Sequence, residues 1–342
     1  MADSKTLSRN PSPAAADAAA DPRQEPYAEH TPVMRQYLTL RDENPGVLLL
    51  YRLGDFYETF FEDAVRINKL LGLTLTRRGK DSSGNPIPMA GVPAASLDQY
   101  LARLVRCGVS VAICEQVGDA VAPRGMMQRR IVRIVTPGTL TDNSLLSEKE
   151  DSVLAAWAPA AGRKSAAALV WITLSSGEFR AVRLTGRTLA EELARIRPSE
   201  LLVPESFRDG LGAEVEPTVT TLPDWHFDAQ KGAQELRERF GLEGLVVRGL
   251  EDEPGVLKAV NAILGYVEQT QREALPYIRP LKLESDSSFI ELDAATRRNL
   301  EISDTLRGDD GPTLFSVLDS CRTPMGSRTR RRWLHNPLRE AA

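Results

Sequence analysis

Phe56, Tyr57 and Glu58 follow the Gly54-Asp55 pair, and their types and spacing suggest chemistry. Beside a glycine, a side chain is free to project away from the core instead of into it. A projecting apolar ring can be driven between the stacked bases of a duplex, and a neighbouring carboxylate can accept hydrogen bonds. The structural alternative is that Phe56 simply caps the apolar core that follows it. Composition alone leaves both interpretations open.

The segment 47–73 must position these side chains, and its pattern changes at Gly54. The continuous apolar run before the glycine predicts a buried strand, and the 3.6-residue spacing after it predicts a turn and a helix. Neighbours along an extended backbone face opposite sides, so Tyr57 is expected to pack inside while Phe56 and Glu58 face outward. The predicted core positions of the helix are Phe60, Phe61, Ala64, Ile67, Leu70 and Leu71.

Basic residues concentrate around this segment although the chain has a net charge of −4. Residues 31–135 contain fourteen Lys and Arg against ten Asp and Glu, whereas residues 1–30 contain three against five. Arg77, Arg78 and Lys80 follow a short β-type run, Leu73–Thr76, and precede a glycine turn, which suits phosphate contacts. A solvated basic loop explains each of them equally well.

Several classes of site and location are disfavoured by composition. Cys107, Cys114 and Cys321 are odd in number and lack C-x-x-C spacing, which argues against disulfides and structural zinc and favours a reducing compartment. The three histidines are too scattered to indicate a metal site. No apolar run has the length of a membrane span, and residues 1–30 lack the apolar core of a signal peptide, so the cytoplasm is the expected location. Residues 1–26 are predicted to be a disordered tail.

The rest of the chain predicts further domains. Helices interleave with strands up to about residue 135, with Arg129–Val135 as a possible edge strand, and a polar connection follows at 140–149. Three antiparallel strands and then alternating helices and strands are expected next. The third region should be helical. The predicted strands are Val153–Trp157, Ala166–Leu174 and Glu178–Leu184, and the predicted helices of the third region are Asp293–Leu306, Thr313–Cys321 and Gly326–Leu334. Four arginines of the last helix could contact DNA, but pairing with nearby carboxylates is the favoured interpretation; they are Arg328, Arg330, Arg331 and Arg332.

Six sequence blocks, taken together, resemble the bacterial DNA mismatch-repair family MutS. They occur in the family's order between about residues 30 and 340, which is far more specific than any single short motif. The blocks are Gly54–Glu58, Arg77–Gly79 with Pro86–Pro93, Ser110–Gln116, Arg133–Thr139, Asp293–Glu301, and Thr323–Arg328 leading into Arg332–Leu338.

The resemblance implies an α/β multidomain fold: a mixed α/β mismatch-recognition domain at 27–138, a ribonuclease H-like connector domain at 148–268, and the truncated start of an all-α core domain at 285–342. It implies that Phe56 stacks on a mispaired base while Glu58 hydrogen-bonds to it, and it adds Met89 to Arg77, Arg78 and Lys80 as candidates for DNA-backbone contacts. The implied partners are duplex DNA with mismatches or small insertion/deletion loops, and MutL through the connector. The expected location is the cytoplasm of a bacterium, at the nucleoid.

ATP and Mg²⁺ serve an ATPase and dimerisation region of full-length members of this family. No Gly-x-x-x-x-Gly-Lys-Ser/Thr loop occurs in this sequence, so we expect no cofactor, no catalytic residues and no enzymatic activity in this chain. We also expect a fragment or truncated product that is monomeric, whereas the full-length family forms homodimers.

Two other functions compete with mismatch recognition. Without the ATPase region, the chain could act only as a protein-interaction module for a repair partner. A metal-dependent nuclease is disfavoured, because such catalysis needs clustered carboxylates to hold two Mg²⁺ ions and the strand at 166–174 contains no acidic residue.

Overall fold

The computed structural model describes residues 27–339, with gaps at 82, 122–126, 143, 161–165, 187, 212–214, 216, 247–248, 251, 286–287 and 310. The predicted tail, 1–26, lies outside the described residues. The helices are α1 (Pro32–Asp42), α2 (Phe61–Leu71), α3 (Leu97–Arg106), α4 (Leu189–Ile196), α5 (Ala229–Val246), α6 (Pro254–Gln271), α7 (Ala294–Asn299), α8 (Leu314–Leu318) and α9 (Pro324–His335). The strands are β1 (Leu48–Leu53), β2 (Phe56–Phe60), β3 (Thr76–Lys80), β4 (Pro86–Pro93), β5 (Val111–Val121), β6 (Met127–Val135), β7 (Leu154–Ala158), β8 (Ala167–Thr173), β9 (Glu178–Leu184), β10 (Glu200–Pro204), β11 (Thr218–Leu222) and β12 (Lys282–Leu283).

The first sheet has the strand order β3-β4-β2-β1-β5-β6, with β6 at an edge as predicted. β1 lies near its middle, parallel to β5 and antiparallel to β2. Leu48 and Leu50 pack with residues of α2 and α3 on one face, while Leu49 and Tyr51 pack with residues of α1 on the other. Because both faces are covered by helices, β1 is largely apolar rather than apolar at alternate positions.

Three sequence predictions for this part of the chain were wrong in detail. A second strand, β2, follows the glycine turn, and the helix begins only at Phe61. Strand β2 pairs with β1 on one side and β4 on the other, and these backbone hydrogen bonds override the helical spacing of the side chains. Leu70 is exposed rather than buried. The predicted strand at Leu73–Thr76 begins instead at Thr76, because 76–80 is the stretch that pairs with β4.

The second sheet has the order β11-β10-β7-β8-β9-β12. As predicted, β7, β8 and β9 are antiparallel neighbours. Strand β10 then returns parallel to β7, and β11 pairs in parallel with β10. Buried residues of α6 cover one face of the sheet, and Leu193 of α4 packs against the other. This arrangement of antiparallel strands followed by helix-connected parallel strands agrees with the layout expected for the middle of the chain.

In the third region α7 and α8 are shorter than predicted, whereas α9 is longer. α7 ends at Asn299, where the chain turns and Glu301 takes a left-handed φ of 45°. α8 covers only Leu314–Leu318, with a capping box at Thr313. Helix α9 is the longest of the three and carries the four arginines.

Three of those arginines form the predicted ion pairs. Arg331 pairs with Glu150 at 2.9 Å, Arg328 with Asp151 at 3.4 Å, and Arg332 with Glu178 of β9. Arg330 instead donates to the backbone carbonyl of Leu318. Most of the charge on α9 therefore serves to attach this helix to the second sheet and the segment that precedes it.

A buried carboxylate joins the end of β6 to the second sheet. Glu200 is fully buried and accepts hydrogen bonds from the Thr136 hydroxyl at 2.5 Å and the Gly138 amide at 3.0 Å. It also accepts from the Thr220 and Tyr266 hydroxyls, each at 2.7 Å. These five residues are called the Glu200 junction below.

Candidate nucleic-acid interface

Phe56 begins β2, directly after the turn that reverses the chain from β1. Gly54 holds a φ of 60° in this turn, a conformation that glycine adopts without strain. The Phe56 side chain is 46% exposed, whereas Tyr57 is 4% exposed and packs in the core with Leu48 and Leu50. The Tyr57 hydroxyl donates to the Glu115 carboxylate. The prediction that Tyr57 turns inward is therefore confirmed, and Phe56 is not sealed in the core.

Phe56 and Glu58 lie on the same face of β2, because side chains alternate along a strand. Gly91 of β4 lies directly opposite Glu58 in the register. An added Cβ on Gly91 would lie 3.5 Å from Glu58 Cγ and 3.8 Å from Phe56 Cδ1. Both side chains therefore pass over a position without a side chain of its own. Sequence reasoning did not identify Gly91, although a glycine within a strand often marks a close approach of this kind.

Glu58 forms an ion pair with Arg78, one of the candidates for a DNA-backbone contact. The Arg78 Nη1 atom donates to Glu58 Oε2 at 2.7 Å, and the Arg78 side chain is 49% exposed against 15% for Glu58. Because β4 lies between β3 and β2, the arginine reaches across one strand to meet the carboxylate. Phe56, Glu58, Arg78 and Gly91 together are called the Phe56 edge below.

The other candidate backbone-contacting residues divide into two groups. Arg77 and Lys80 lie on β3, an edge strand on which every residue is exposed. Charged residues on an edge strand also discourage pairing with other chains, so their presence alone does not establish a ligand. Met89 is different: it is half-buried on β4, packs against the core beneath α1, and its carbonyl accepts from Thr76.

Of the three arginines on β6, at the opposite edge of this sheet, Arg129 and Arg133 have partners within the protein and Arg130 is exposed. Arg129 donates to the carbonyl of Arg52 at 2.9 Å and lies over the ring of Tyr51. Arg133 pairs with Asp142 at 2.7 Å. Among the described strands, β3 therefore carries the exposed basic cluster that lies nearest to β2, at a distance of two strands.

Two absences bear on the class of site. Nowhere among the described residues do three or more His, Cys, Asp or Glu side chains come together so that they could hold a metal ion. In the same part of the chain, no helix combines the length and apolar character that crossing a membrane requires.

Family models match this chain in three consecutive stretches. Residues 31–144 match MutS domain I, residues 151–279 match MutS domain II, and residues 295–342 match MutS domain III. The chain belongs to the MutS family. The Phe56 edge lies within the part that matches MutS domain I, and the second sheet lies almost entirely within the part that matches domain II. Membership supports a role in DNA mismatch repair and DNA binding.

Proposed function

We propose that this MutS-family chain recognises mispaired or unpaired bases in duplex DNA by inserting Phe56 as a wedge, with Glu58 contacting the displaced base. The observation that carries the proposal is the outward ring of Phe56 beside Glu58 on one face of β2. A ring held at the exposed end of a buried strand needs no unfolding to reach a ligand.

Discrimination follows from the energy of deforming DNA. Driving an apolar side chain between base steps costs a few kcal/mol per step. A paired and stacked duplex resists this deformation, whereas a mismatch or an unpaired base already lacks part of its pairing and deforms more cheaply. The wedge thus selects deformable sites without reading a particular base sequence.

The carboxylate adds a chemical criterion to this mechanical one. Near DNA phosphates a negative side chain is repelled, so it favours only a base that offers it a hydrogen-bond donor. Glu58 therefore contributes more to specificity than to affinity. Arg77, Arg78 and Lys80 would supply the compensating positive charge, and no step of this binding reaction requires a cofactor or a catalytic residue of the chain.

The test is the affinity of the chain for a G·T heteroduplex and a matched duplex at the same salt concentration, measured by fluorescence anisotropy. Phe56→Ala is expected to lower the ratio of the two affinities to about one while changing the free energy of unfolding by less than about 1 kcal/mol. Phe207→Ala is the matched control, because Phe207 is 41% exposed but lies outside domain I. A Phe56→Ala variant that keeps its preference, or that unfolds, would contradict the wedge.

A second candidate is an interaction module that binds the repair partner MutL through the connector. Trp225 favours it, since this side chain is 64% exposed and stacks on His226 with ring centroids 3.7 Å apart. Exposed aromatic residues of this kind often anchor protein interfaces. Capture of MutL by the wild-type chain, lost in Trp225→Ala and kept in Phe56→Ala, would support this role. We place both activities in the bacterial cytoplasm at the nucleoid.

A further inference from the structure

The carboxylate of Glu58 has a charged partner that the wedge mechanism does not use. Arg78 contacts it at 2.7 Å, and the two residues lie on different strands with β4 between them. Arg77 and Lys80 lie on the same strand as Arg78, yet no described hydrogen bond or ion pair joins either of them to Glu58. One arginine of the basic strand is thus held at the carboxylate rather than presented freely to solvent.

Binding to a matched duplex is electrostatically unfavourable for Glu58. The wedge brings this carboxylate close to phosphates, and a matched base pair has already committed its donors to its partner. An unpaired carboxylate would therefore lose its water without gaining a hydrogen bond. Arg78 removes that penalty, because it supplies a charge-assisted donor when the base does not.

We propose that Arg78 is a specificity-determining residue that acts through Glu58. It neutralises and holds the carboxylate on a matched duplex and releases it to a base donor at a mismatch. The proposal rests on the proposed function, since it deepens the role of the same edge. It differs from a phosphate contact, because a phosphate contact strengthens binding to every duplex alike.

Exchange of partners is feasible because the arginine side of the pair is open to solvent, although the Glu58 side chain is only 15% exposed. Arg78 is 49% exposed, and ion pairs in such positions are weak enough for a competing donor to replace them. By occupying the carboxylate, Arg78 reduces the difference between matched and mismatched DNA. Its removal should therefore weaken binding to the matched duplex more than binding to the heteroduplex.

A double-mutant cycle tests this coupling. The affinities of a G·T heteroduplex and a matched duplex are measured at one salt concentration for the wild-type chain, Arg78→Ala, Glu58→Gln and the double variant. Arg78→Ala is expected to raise the heteroduplex preference about threefold, in keeping with the strength of an exposed ion pair. In the Glu58→Gln background the same substitution should leave the preference unchanged, because no carboxylate remains to be neutralised.

Two variants separate this role from a simple loss of charge. Arg77→Ala removes the same charge from the neighbouring position and should weaken both duplexes equally. Arg78→Lys keeps a cationic donor and should hold the preference within about twofold of wild type.

An Arg78→Ala effect that is the same whether residue 58 is Glu or Gln would overturn the proposal and leave the wedge intact. A wild-type chain that does not prefer the heteroduplex would overturn the proposed function and this proposal together.

Discussion

The Phe56 edge and the Glu200 junction are each built around a carboxylate and a glycine, but their surroundings differ. Glu58 lies on an interior strand, and among the described residues its donor is the charged Arg78, which reaches it from the edge strand β3. Glu200 is fully buried and faces four neutral donors from the end of β6, from β11 and from α6. Within the described part of the chain, no Lys or Arg pairs with Glu200.

The donors that surround a carboxylate decide whether it can change its partner. Neutral donors that converge from several elements satisfy Glu200 completely, and each of them would be left unpaired if it moved. Among the described residues Glu58 has one partner, Arg78, whose side chain is half-exposed, so a ligand can replace that partner. The first arrangement holds the end of β6 against the second sheet, and the second leaves the carboxylate able to exchange its partner.

Glu200→Ala should have the largest effect on stability. A small effect would contradict the difference drawn between the two carboxylates. Removing the carboxylate leaves buried hydroxyl and amide donors unpaired, and we expect the free energy of unfolding to fall by about 3 to 5 kcal/mol. Urea denaturation followed by tryptophan fluorescence measures the loss, because Trp157 and Trp171 lie in β7 and β8 of the affected sheet. Glu58→Ala is the control and should cost less than about 1 kcal/mol. Equal losses of unfolding free energy in the two variants would mean that Glu200 is held no more firmly than Glu58.

Stability should also depend on pH through His335, which lies at the end of α9. Burial, followed by the charges of Arg197, Arg331 and Arg297, lowers the pKa of His335 from 6.5 to about 4. The ring is held neutral, with its Nε2 atom 2.8 Å from the Ser303 hydroxyl. Below pH 6.5 the unfolded chain takes up a proton that the folded chain does not, so stability falls as the pH drops toward 4.

The expected loss over that range is up to about 3 kcal/mol, because each pH unit between the unfolded and folded pKa values of His335 contributes about 1.4 kcal/mol. Urea denaturation at pH 7 and pH 4.5 measures it in the wild-type chain and in His335→Gln. The variant should lose less stability on acidification than the wild type does, whatever its stability at pH 7. The same pH dependence in both chains would show that His335 does not titrate in this window.

The sequence predicted best those features that depend on local pattern. The apolar run of β1, the inward turn of Tyr57 and the three antiparallel strands β7, β8 and β9 all follow from spacing and alternation along one segment. The predicted carboxylate partners of Arg328, Arg331 and Arg332 were also found. That Phe56 and Glu58 contact a mispaired base stays a prediction.

Features that depend on pairing between distant segments could not be predicted in the same way. Strand β2 was missed because its pairing with β4 lies some thirty residues along the chain and outweighs local helical spacing. The Arg78–Glu58 contact needs the strand order β3-β4-β2, which periodicity does not give. Glu200 was not identified either, because its four donors come from segments up to 66 residues away.

The smallest effect is expected for Gly91→Ala, which adds one methyl group beside Phe56 and Glu58. The new Cβ would lie 3.5 Å from Glu58 Cγ and 3.8 Å from Phe56 Cδ1, which are ordinary contact distances. Stability should change by less than about 0.5 kcal/mol, and the heteroduplex preference by less than about twofold. Gly138→Ala is the matched control at the Glu200 junction, where the new Cβ would lie 2.8 Å from Glu200 Cβ and 2.9 Å from Leu154 Cδ1. Such overpacking typically costs about 1 to 3 kcal/mol. If Gly91→Ala were the more damaging of the two, the Phe56 edge would be the tightly closed region and the open geometry inferred for it would be wrong.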